Sequence, residues 1–294
     1  MTHITTLDTT LALKVLSVPT VYRHEIGMQM FLMRHAIENG YHWGKDAMGN
    51  IYFTKGTVAK DEFYPCLTAH IDTVQHWQKP LAQDCKSLEL ITEVDADGLH
   101  RVRCEGKGLG GDDKAGVAVV LSIIDRLPAC KAVFFVEEEI GCKGSLKVDE
   151  EWLADVGYII AFDAPGRNRA SWACNGVRLF DREFFDSHLA PLEEKFGITN
   201  YQSDPYTDVA VLRPYTDVAC MNFGTGYYHQ HTDEEYVVLE DMDHAARLGI
   251  YLAEQLGHQQ YLIFCPPTIL DPIDIGDEDY AYFAARFGER ITSQ

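Results

Sequence analysis

Three short apolar runs constrain the fold of this chain more than any other feature. They are FYPCLTAH at 63–70, KAVFFV at 131–136 and GYIIAF at 157–162, and none of them shows a clean alternation of polar and apolar residues. A strand with one face in water alternates, whereas a strand that helices cover on both faces is apolar throughout. Apolar residues at helical spacing from 117 to 127 separate the first two runs. This succession predicts an α/β fold, a three-layer sandwich with a mainly parallel central sheet flanked by helices.

Further elements are predicted on either side of these strands. Ile26, Met30, Met33 and Ile37 recur at helical spacing, and Gly40 marks the end of that helix. The other predicted elements are a strand at 50–54, a hairpin around Asp97-Gly98 within 85–106, helices at 184–196 and 204–212, a strand at 217–223 and a helix at 239–256.

Charge and composition exclude several classes of function. The 294 residues carry 25 Lys and Arg against 45 Asp and Glu, a formal net charge of −20, so no basic surplus is present to bind a nucleic-acid backbone. No apolar run approaches the roughly 20 residues of a membrane span, and the N-terminus lacks the basic start of a signal peptide. We therefore expect a cytoplasmic protein that binds neither nucleic acid nor a membrane. Its eight cysteines include no CxxC pair and are expected to be reduced and mostly buried.

Acidic residues and histidines are concentrated in five segments, each directly after a predicted strand or before a predicted helix. The segments are AHIDTV at 69–74, GKGLGGDDKAGVAVVL at 106–121, FFVEEEIGCKGS at 134–145, IIAFDAPG at 159–166 and YYHQHTDEEYV at 227–237. In open α/β sheets, ligands gather at the carboxyl ends of the strands. The sequence therefore predicts one functional site at that edge of the sheet.

Each segment taken alone has a structural interpretation as well as a functional one. His70 and Asp72 project to the same side of a strand, where the carboxylate could orient a metal-binding imidazole or simply face solvent. The glycines before Asp112 could cradle phosphate, but two successive aspartates would repel an anion, which leaves an acidic helix start or a metal-bridging carboxylate. The three glutamates at 137–139 suit a solvated loop, or a metal ligand next to a general base.

The acidic residues balance the charge of a centre with two metal ions. Asp112, Glu139 and Asp163 contribute three negative charges, a bridging hydroxide contributes a fourth, and two neutral histidines contribute none. Two divalent cations neutralise that total. Mixed imidazole and carboxylate ligands favour zinc, with cobalt or manganese as alternatives.

The order of these motifs resembles that of a known family. AHIDTV, GGDDKAG, EEEIG, the strand-terminal Asp163 and HTDEE resemble the motifs of the co-catalytic zinc exopeptidases, most of all peptidase T and its relatives. DAMGNIYFTKG at 46–56 is similar to that family as well. The resemblance spans about residues 15–257 and is weak over 165–215. It implies a hydrolase that cleaves short peptides with a bridging water, which two zinc ions and a glutamate general base activate.

The resemblance also implies the metal ligands. They are His70 and Asp163 on one zinc ion, Glu139 and His231 on the other, and Asp112 as the bridge. His231 is preferred to His229 because Glu235 follows it at the HxxxE spacing of the family. A cis peptide bond between Asp112 and Asp113 is implied too.

Two further residues receive catalytic roles from the resemblance. Glu138 would be the general base, and Asp72 would orient His70. The source of the oxyanion donor stays open, with Tyr227, Tyr228 and His229 as candidates. Asn175 and Arg178 could lie near the substrate, although a place on the rim or in the core is the simpler interpretation of each of these five residues.

One departure from the family affects the domain organisation. Peptidase T and its relatives carry an inserted lid domain, but only residues 164–230 separate Asp163 from His231 here, and they must supply parts of the main sheet. We therefore expect one catalytic domain at 1–257 without a lid, and a monomer. The tail at 258–294, with a short helix at 280–287, is expected to dock on this domain through its aromatic residues.

The end of the peptide that is attacked is the least constrained prediction. An aminopeptidase acting on short peptides is favoured, because no arginine in 165–235 is obviously placed to hold a substrate carboxylate. A carboxypeptidase or a deacylase of N-acyl amino acids would use the same metal site. A non-catalytic binding relative is the alternative from another class, although every implied ligand and Glu138 are present.

Overall fold

The computed structural model describes residues 6–74, 87–204, 206–263 and 282. Strands in these ranges form two sheets. The main sheet contains β1 (His42–Lys45), β2 (Ile51–Lys55), β3 (Tyr64–His70), β6 (Cys130–Phe135), β7 (Val156–Ala164), β8 (Arg169–Cys174), β9 (Val177–Arg178), β10 (Asn200–Asp204) and β11 (Cys220–Gly224), and the smaller sheet contains β4 (Leu90–Val94), β5 (His100–Cys104), β12 (Tyr227–Tyr228) and β13 (Tyr236–Val238). The main sheet has the order β1-β2-β6-β3-β7-β11-β8-β10, with β9 paired to β8.

Helices cover both faces of the main sheet. They are α1 (Thr9–Ser17), α2 (Ile26–Asn39), α3 (Gly111–Ile124), α4 (Glu150–Leu153), α5 (Arg182–Phe184), α6 (Leu192–Phe196), α7 (Asp208–Thr216) and α8 (Leu239–Leu256). On one face α3 packs on β3 and β7 and also contacts α1 and α8, while α7 packs on β3, β7 and β11 from the other face.

The middle of the main sheet is parallel and fully covered. Strand β3 pairs in parallel with β6 and β7, and β7 pairs in parallel with β11. Every residue of β3, β6 and β11 is buried, and so is every residue of β7 except Asp163. The three apolar runs therefore form doubly covered strands, and the predicted α/β sandwich is confirmed. Antiparallel pairs occur toward the two ends, where β2 meets β6 and β8 meets β11.

Helix α2 forms where its repeat predicts, but the repeating residues are not its buried ones. Gly40 ends the helix with a φ of 70°, a conformation that glycine adopts without strain. Ile26, Met30 and Ile37 are 59%, 53% and 65% exposed. The buried face instead carries Met28, Gln29, Leu32, His35 and Ala36. Because α2 is apolar on two sides, periodicity alone does not distinguish the side that packs on β1 and β2.

The predicted hairpin is confirmed and belongs to the smaller sheet. Strands β4 and β5 are antiparallel, and Gly98 in the turn between them has a φ of 80°. Strand β13 pairs with the free edge of β5 and with β12. The hairpin therefore supports the chain on both sides of 229–235.

The segment 165–216 departs most from the sequence predictions. Strands β8, β9 and β10 are not predicted, and Asp204 ends β10 rather than beginning a helix. Helix α7 begins four residues later, at Asp208. The predicted helix at 184–196 consists of α5, a π-helical turn at Phe185–Leu189, and α6. Short strands near a sheet end lack the long apolar runs that reveal the central ones.

Other features of the described residues complete the fold. The six cysteines among them are free and buried. None of the helices in the described ranges is long and apolar enough to span a bilayer. The predicted helix at 280–287 lies outside the described residues apart from Tyr282. That tyrosine donates a hydrogen bond to Asp186 at 2.9 Å, and Arg182 lies 4.3 Å from the centre of its ring.

Candidate metal centre

The carboxyl ends of the parallel strands bring the predicted ligands together. His70 is the last residue of β3, Glu139 follows β6, and Asp163 lies near the end of β7. Asp112 is at the start of α3, whose N-terminus faces the same edge, and His231 lies in the loop between β12 and β13. The sheet thus supplies three of the side chains and the adjoining segments supply two.

One group of donor atoms is centred on His70. Its Nε2 atom lies 3.1 Å from Asp112 Oδ1 and 3.5 Å from Asp163 Oδ1. One ligand atom from each of these three residues lies within 4.8 Å of the others. The resemblance assigns His70 and Asp163 to one ion and Asp112 to the position between the two ions.

A second group contains His231. Its Nε2 atom lies 3.1 Å from Glu139 Oε1 and 3.3 Å from Asp112 Oδ2. The two oxygens of Asp112 therefore face different histidines, which is the arrangement that a bridging carboxylate requires. The side chain of His231 is 42% exposed and that of His70 is 1% exposed, so the second group is the one open to solvent.

Glu138 lies beside both groups. Its Oε2 atom is 3.9 Å from His70 Nε2. The Cys142 thiol donates a hydrogen bond to Oε1 at 3.4 Å, and Glu138 is buried. Burial and the negative charge of Asp163 raise its pKa well above the usual range.

Asp72 acts on the site through a contact that the sequence does not predict. His70 Nδ1 donates to the backbone carbonyl of Asp72 at 2.9 Å, whereas the nearest carboxylate oxygen of Asp72 is 3.6 Å away. That carboxylate instead accepts the backbone N–H groups of Glu138 at 2.9 Å and of Glu139 at 3.1 Å. The backbone of residue 72 therefore orients the imidazole, and its side chain holds the two glutamates.

Glu235 and Asp113 anchor the start of α3. Glu235 accepts backbone N–H groups from Asp112 at 3.1 Å and from Gly110. The peptide bond between Asp112 and Asp113 is cis, as the resemblance implies. Asp113 accepts the backbone N–H of His70 at 3.3 Å and that of Gly116 at 3.0 Å, so it ties the ends of β3 and α3 together. The sequence identifies Glu235 only through its spacing from His231.

The electrostatics of the site fit bound cations. Hydrogen bonds to Asp112 and Glu139 raise the pKa of His231 to about 10. Burial alone would lower the pKa of His70, but Asp163 and Asp112 raise it well above its usual value. Burial raises the pKa of Asp163 and of Glu139. Without metal, a proton on each Nε2 atom would offset part of this negative charge, and a divalent cation at each position would take the place of the proton.

Several residues suggested as substrate or oxyanion contacts lie elsewhere. Because β8 runs antiparallel to β11, Asn175 in the turn after β8 lies at the sheet edge opposite the metal ligands, and Arg178 is buried in β9 opposite Ala173. Their places agree with the simpler interpretation of each as a residue of the rim or the core. Tyr228 donates its hydroxyl to Asp241 at 2.7 Å, and His229 is exposed. Only Tyr227 is both buried and close enough for the charges of Asp112 and Asp163 to raise its pKa.

The structure adds Thr207, Asp208 at the start of α7 and Asn222 of β11, which the sequence does not single out. Thr207 donates its hydroxyl to Asp163 Oδ2 at 2.9 Å. Asp208 is buried, and burial together with the charges of Asp163 and Asp72 raises its pKa to about 7 although His70 and Ser145 act against the shift. Asn222 bonds to the backbone of Asp163. None of these three is an acid or a histidine directly after an apolar run. That combination is the signal that reveals the other site residues.

Solved peptidases share this fold. The aminopeptidase PepT of Bacillus cereus superposes with a TM-score of 0.65 and 14% identity, over 85% of this chain and 99% of that one. A tripeptidase of Staphylococcus aureus superposes with a TM-score of 0.64 and 15% identity, over 84% of this chain and 98% of that one. The TET1 peptidase of Pyrococcus horikoshii superposes with a TM-score of 0.60 and 16% identity, over 83% of this chain and 98% of that one. That peptidase can assemble into a tetrahedron or a large octahedral shell. The chain therefore has the α/β fold of these peptidases.

The sequence comparison covers a smaller part of the chain. The cytosol non-specific dipeptidase of Escherichia coli is 25% identical over 170 residues, which are 55% of this chain and 34% of that protein. The chain thus spans about a third of the length of the curated relative it matches. No protein-family model matches the chain. The resemblance to zinc exopeptidases that the motifs indicate is confirmed at the level of the fold.

Proposed function

We propose that this protein is a metal-dependent exopeptidase that hydrolyses short peptides from their free amino termini. The observation that carries the proposal is the position of Asp112, whose two oxygens face two separate sets of histidine and carboxylate donors. Glu138, which is buried, lies beside them, with a carboxylate oxygen within 4.8 Å of donor atoms of His70 and Glu139. The relatives in fold and sequence that are named aminopeptidase, tripeptidase and dipeptidase support the same class of reaction.

Two divalent cations are proposed to bind at this centre, zinc in the first place and cobalt or manganese as alternatives. One would be held by His70 and Asp163, the other by Glu139 and His231, with Asp112 shared. When bound, the ions would polarise the scissile carbonyl and lower the pKa of water at the site.

Glu138 is proposed as the general base. Its carboxylate would accept a proton from the attacking water and return it to the leaving amine. The Cys142 thiol and the clamp from Asp72 to the backbone of residue 138 fix its orientation. Asp72 would hold Glu138 and Glu139 in a constant relative position.

The charge around the centre favours a substrate with a free amino terminus. The carboxyl groups in and beside the centre number eight, six of them buried, against the four positive charges that two divalent cations would supply; they belong to Asp72, Asp112, Asp113, Glu138, Glu139, Asp163, Asp208 and Glu235. Those carboxylates that stay ionised beyond the charge of the cations would attract an ammonium group and repel a substrate carboxylate. Cleavage at the carboxyl terminus or of N-acyl amino acids is the result that would contradict this part of the proposal.

We also propose a monomeric, cytoplasmic enzyme. The described residues between Asp163 and His231 form strands β8 to β12 and helices packed beside them. A separate lid, which could carry a dimer contact, is therefore absent from residues 164–204 and 206–230. The free, buried cysteines suit a reducing compartment.

Metal analysis combined with a substrate panel tests the proposal. The protein is purified without chelator, its bound metal is quantified, and it is assayed on free tripeptides, N-blocked tripeptides and N-acyl amino acids with added zinc, cobalt or manganese. We expect about two metal ions per chain and cleavage of free tripeptides alone. Activity restricted to N-acyl substrates would move the function to deacylation, and the absence of both tight metal and turnover would support a binding protein.

A further inference from the structure

Asp163 lies at a break in the ladder between β7 and β11. Asn222 of β11 is opposite Ala161 of β7, whereas Gly224 is opposite Ala164. Two steps along β11 therefore match three steps along β7, so β7 contains one extra residue at this point. A bulge of this kind removes a residue from regular pairing and re-aims its side chain. Here the re-aimed residue is a predicted metal ligand.

The side chain of Asn222 occupies the place of the missing backbone partner. Asp163 donates its backbone N–H to Asn222 Oδ1 at 2.9 Å, and Asn222 Nδ2 donates to the backbone carbonyl of Asp163 at 3.0 Å. A carboxamide carries the same donor and acceptor as a peptide group, so it can pair with both polar atoms of one residue. Nδ2 also donates to Ser171 Oγ on β8 at 3.1 Å. Asn222 is 1% exposed. The N–H and C=O of Asp163 set which end of the amide faces which atom, and the third bond ties the carboxamide to β8.

We infer that Asn222 is a positioning residue for Asp163, an inference that rests on the proposed metal-dependent function. Asn222 holds the backbone of Asp163 and Thr207 holds Oδ2 of its carboxylate, which leaves Oδ1 directed at His70 Nε2. The ion bound by His70 and Asp163 therefore meets a ligand whose position is set before it arrives. Outer contacts of this kind are worth about 10–100-fold in metal affinity.

The effect of Asn222 is confined to one of the two metal positions. The backbone N–H of Glu139 is held by Asp72, and that of Asp112 by Glu235. Neither clamp involves β11 or its neighbours. Loss of Asn222 should therefore weaken the ion at His70 and Asp163 and leave the ion at Glu139 and His231 nearly unchanged.

Substitution of Asn222 by alanine tests this assignment with two readouts other than turnover. In the metal-free protein, amide hydrogen exchange at 161–165 should accelerate, while exchange at 70–72 and 110–113 stays at the wild-type rate. In a zinc or cobalt titration followed by calorimetry, the affinity for one of the two metal ions should fall about 10–100-fold. The affinity for the other should stay at the wild-type value. Asp163→Asn identifies which of the two binding steps involves Asp163. The Asn222→Ala variant should lower the metal affinity of the same step.

Two milder variants keep the test decisive where Asn222→Ala does not fold. Ser171→Ala removes the third hydrogen-bond partner of the carboxamide, and it should weaken binding of the same metal ion less than Asn222→Ala does. Thr207→Val removes the hydroxyl bond to the carboxylate at constant shape, and it should weaken binding of that metal ion without accelerating exchange at 161–165.

Three results would overturn the inference. They are unchanged exchange at 161–165, unchanged binding of both ions, and equal weakening of both ions, which a general loss of stability would produce. Should the wild-type protein bind no metal at all, the proposed function fails by itself. Hydrogen exchange in the metal-free protein then still decides whether Asn222 holds Asp163.

Discussion

At the scale of single residues, the site depends on backbone positions as much as on the ligands themselves. Asp112 can face two histidines because Glu235 holds its N–H at 3.1 Å. Glu138 and Glu139 can point in different directions from adjacent positions because one carboxylate, that of Asp72, accepts both of their N–H groups. Each of these anchors is a buried acid whose hydrogen bonds offset part of the cost of its burial.

Replacement of Glu138 by glutamine tests the assignment of the general base. The amide keeps the shape of the side chain but cannot accept the proton, so turnover should fall by about 100-fold or more while both metal ions stay bound. Steady-state kinetics and metal analysis of the same preparation measure the two effects. Glu137→Gln is the matched control, because Glu137 pairs with Lys143 at 3.7 Å and belongs to no donor group. A Glu138→Gln variant with wild-type turnover would remove Glu138 from the mechanism.

At the scale of elements, helix α2 shows that a correct helix can be predicted with an incorrect buried side. The repeat from Ile26 to Ile37 and the repeat Met28, Leu32, Ala36 are both apolar and both helical in period. The second lies in the core, whereas Ile26, Met30 and Ile37 of the first are exposed and only Met33 packs against the core. Which side is buried depends on how the chain enters and leaves the helix relative to β1 and β2, and that geometry is a long-range property.

A pair of substitutions in α2 measures this difference. Leu32 is fully buried, so Leu32→Ala should lower the free energy of unfolding by about 2–5 kcal/mol. Ile37 is 65% exposed, and Ile37→Ala should change stability by less than about 0.5 kcal/mol. Urea denaturation of the two variants and the wild type gives both values. Equal losses would mean that Ile37 is buried in solution, by a partner or by another part of the chain.

At the scale of the whole molecule, the carboxylates of the metal centre lower the stability of the folded protein when they are ionised, and bound cations would offset this cost. His70 and His231 have raised pKa values, and so do Asp163, Glu138 and Glu139. All of these groups bind protons more tightly in the folded state than in the unfolded state. Their contribution to stability is therefore complete at low pH and is lost as pH rises. Asp112 has a lowered pKa and acts in the opposite sense, but its contribution is lost only below about pH 4.

The metal-free protein should accordingly become less stable from about pH 6.5, where the histidines of the unfolded chain lose their protons, to about pH 10, where His231 of the folded protein loses its own, and the raised acids add to this decline. Thermal unfolding of the chelated protein across this range measures the effect as a falling Tm. The metal-loaded protein is the control and should show a smaller decline, because ions replace the protons. A Tm of the metal-free protein that rises with pH would contradict this account of the site.

The sequence by itself determined the fold class and most of the central strands, and it singled out as candidate ligands five residues that the structure brings together. These features depend on local signals: an apolar run without alternation, and an acid or histidine where the run ends. The tertiary structure decided which side of α2 is buried, how β8 to β10 extend the sheet, and which buried groups hold the ligands in place. Asn222 is the clearest case, because its role depends on a bulge in the neighbouring strand. Hydrogen bonds between residues distant in the chain leave no periodic trace in the sequence.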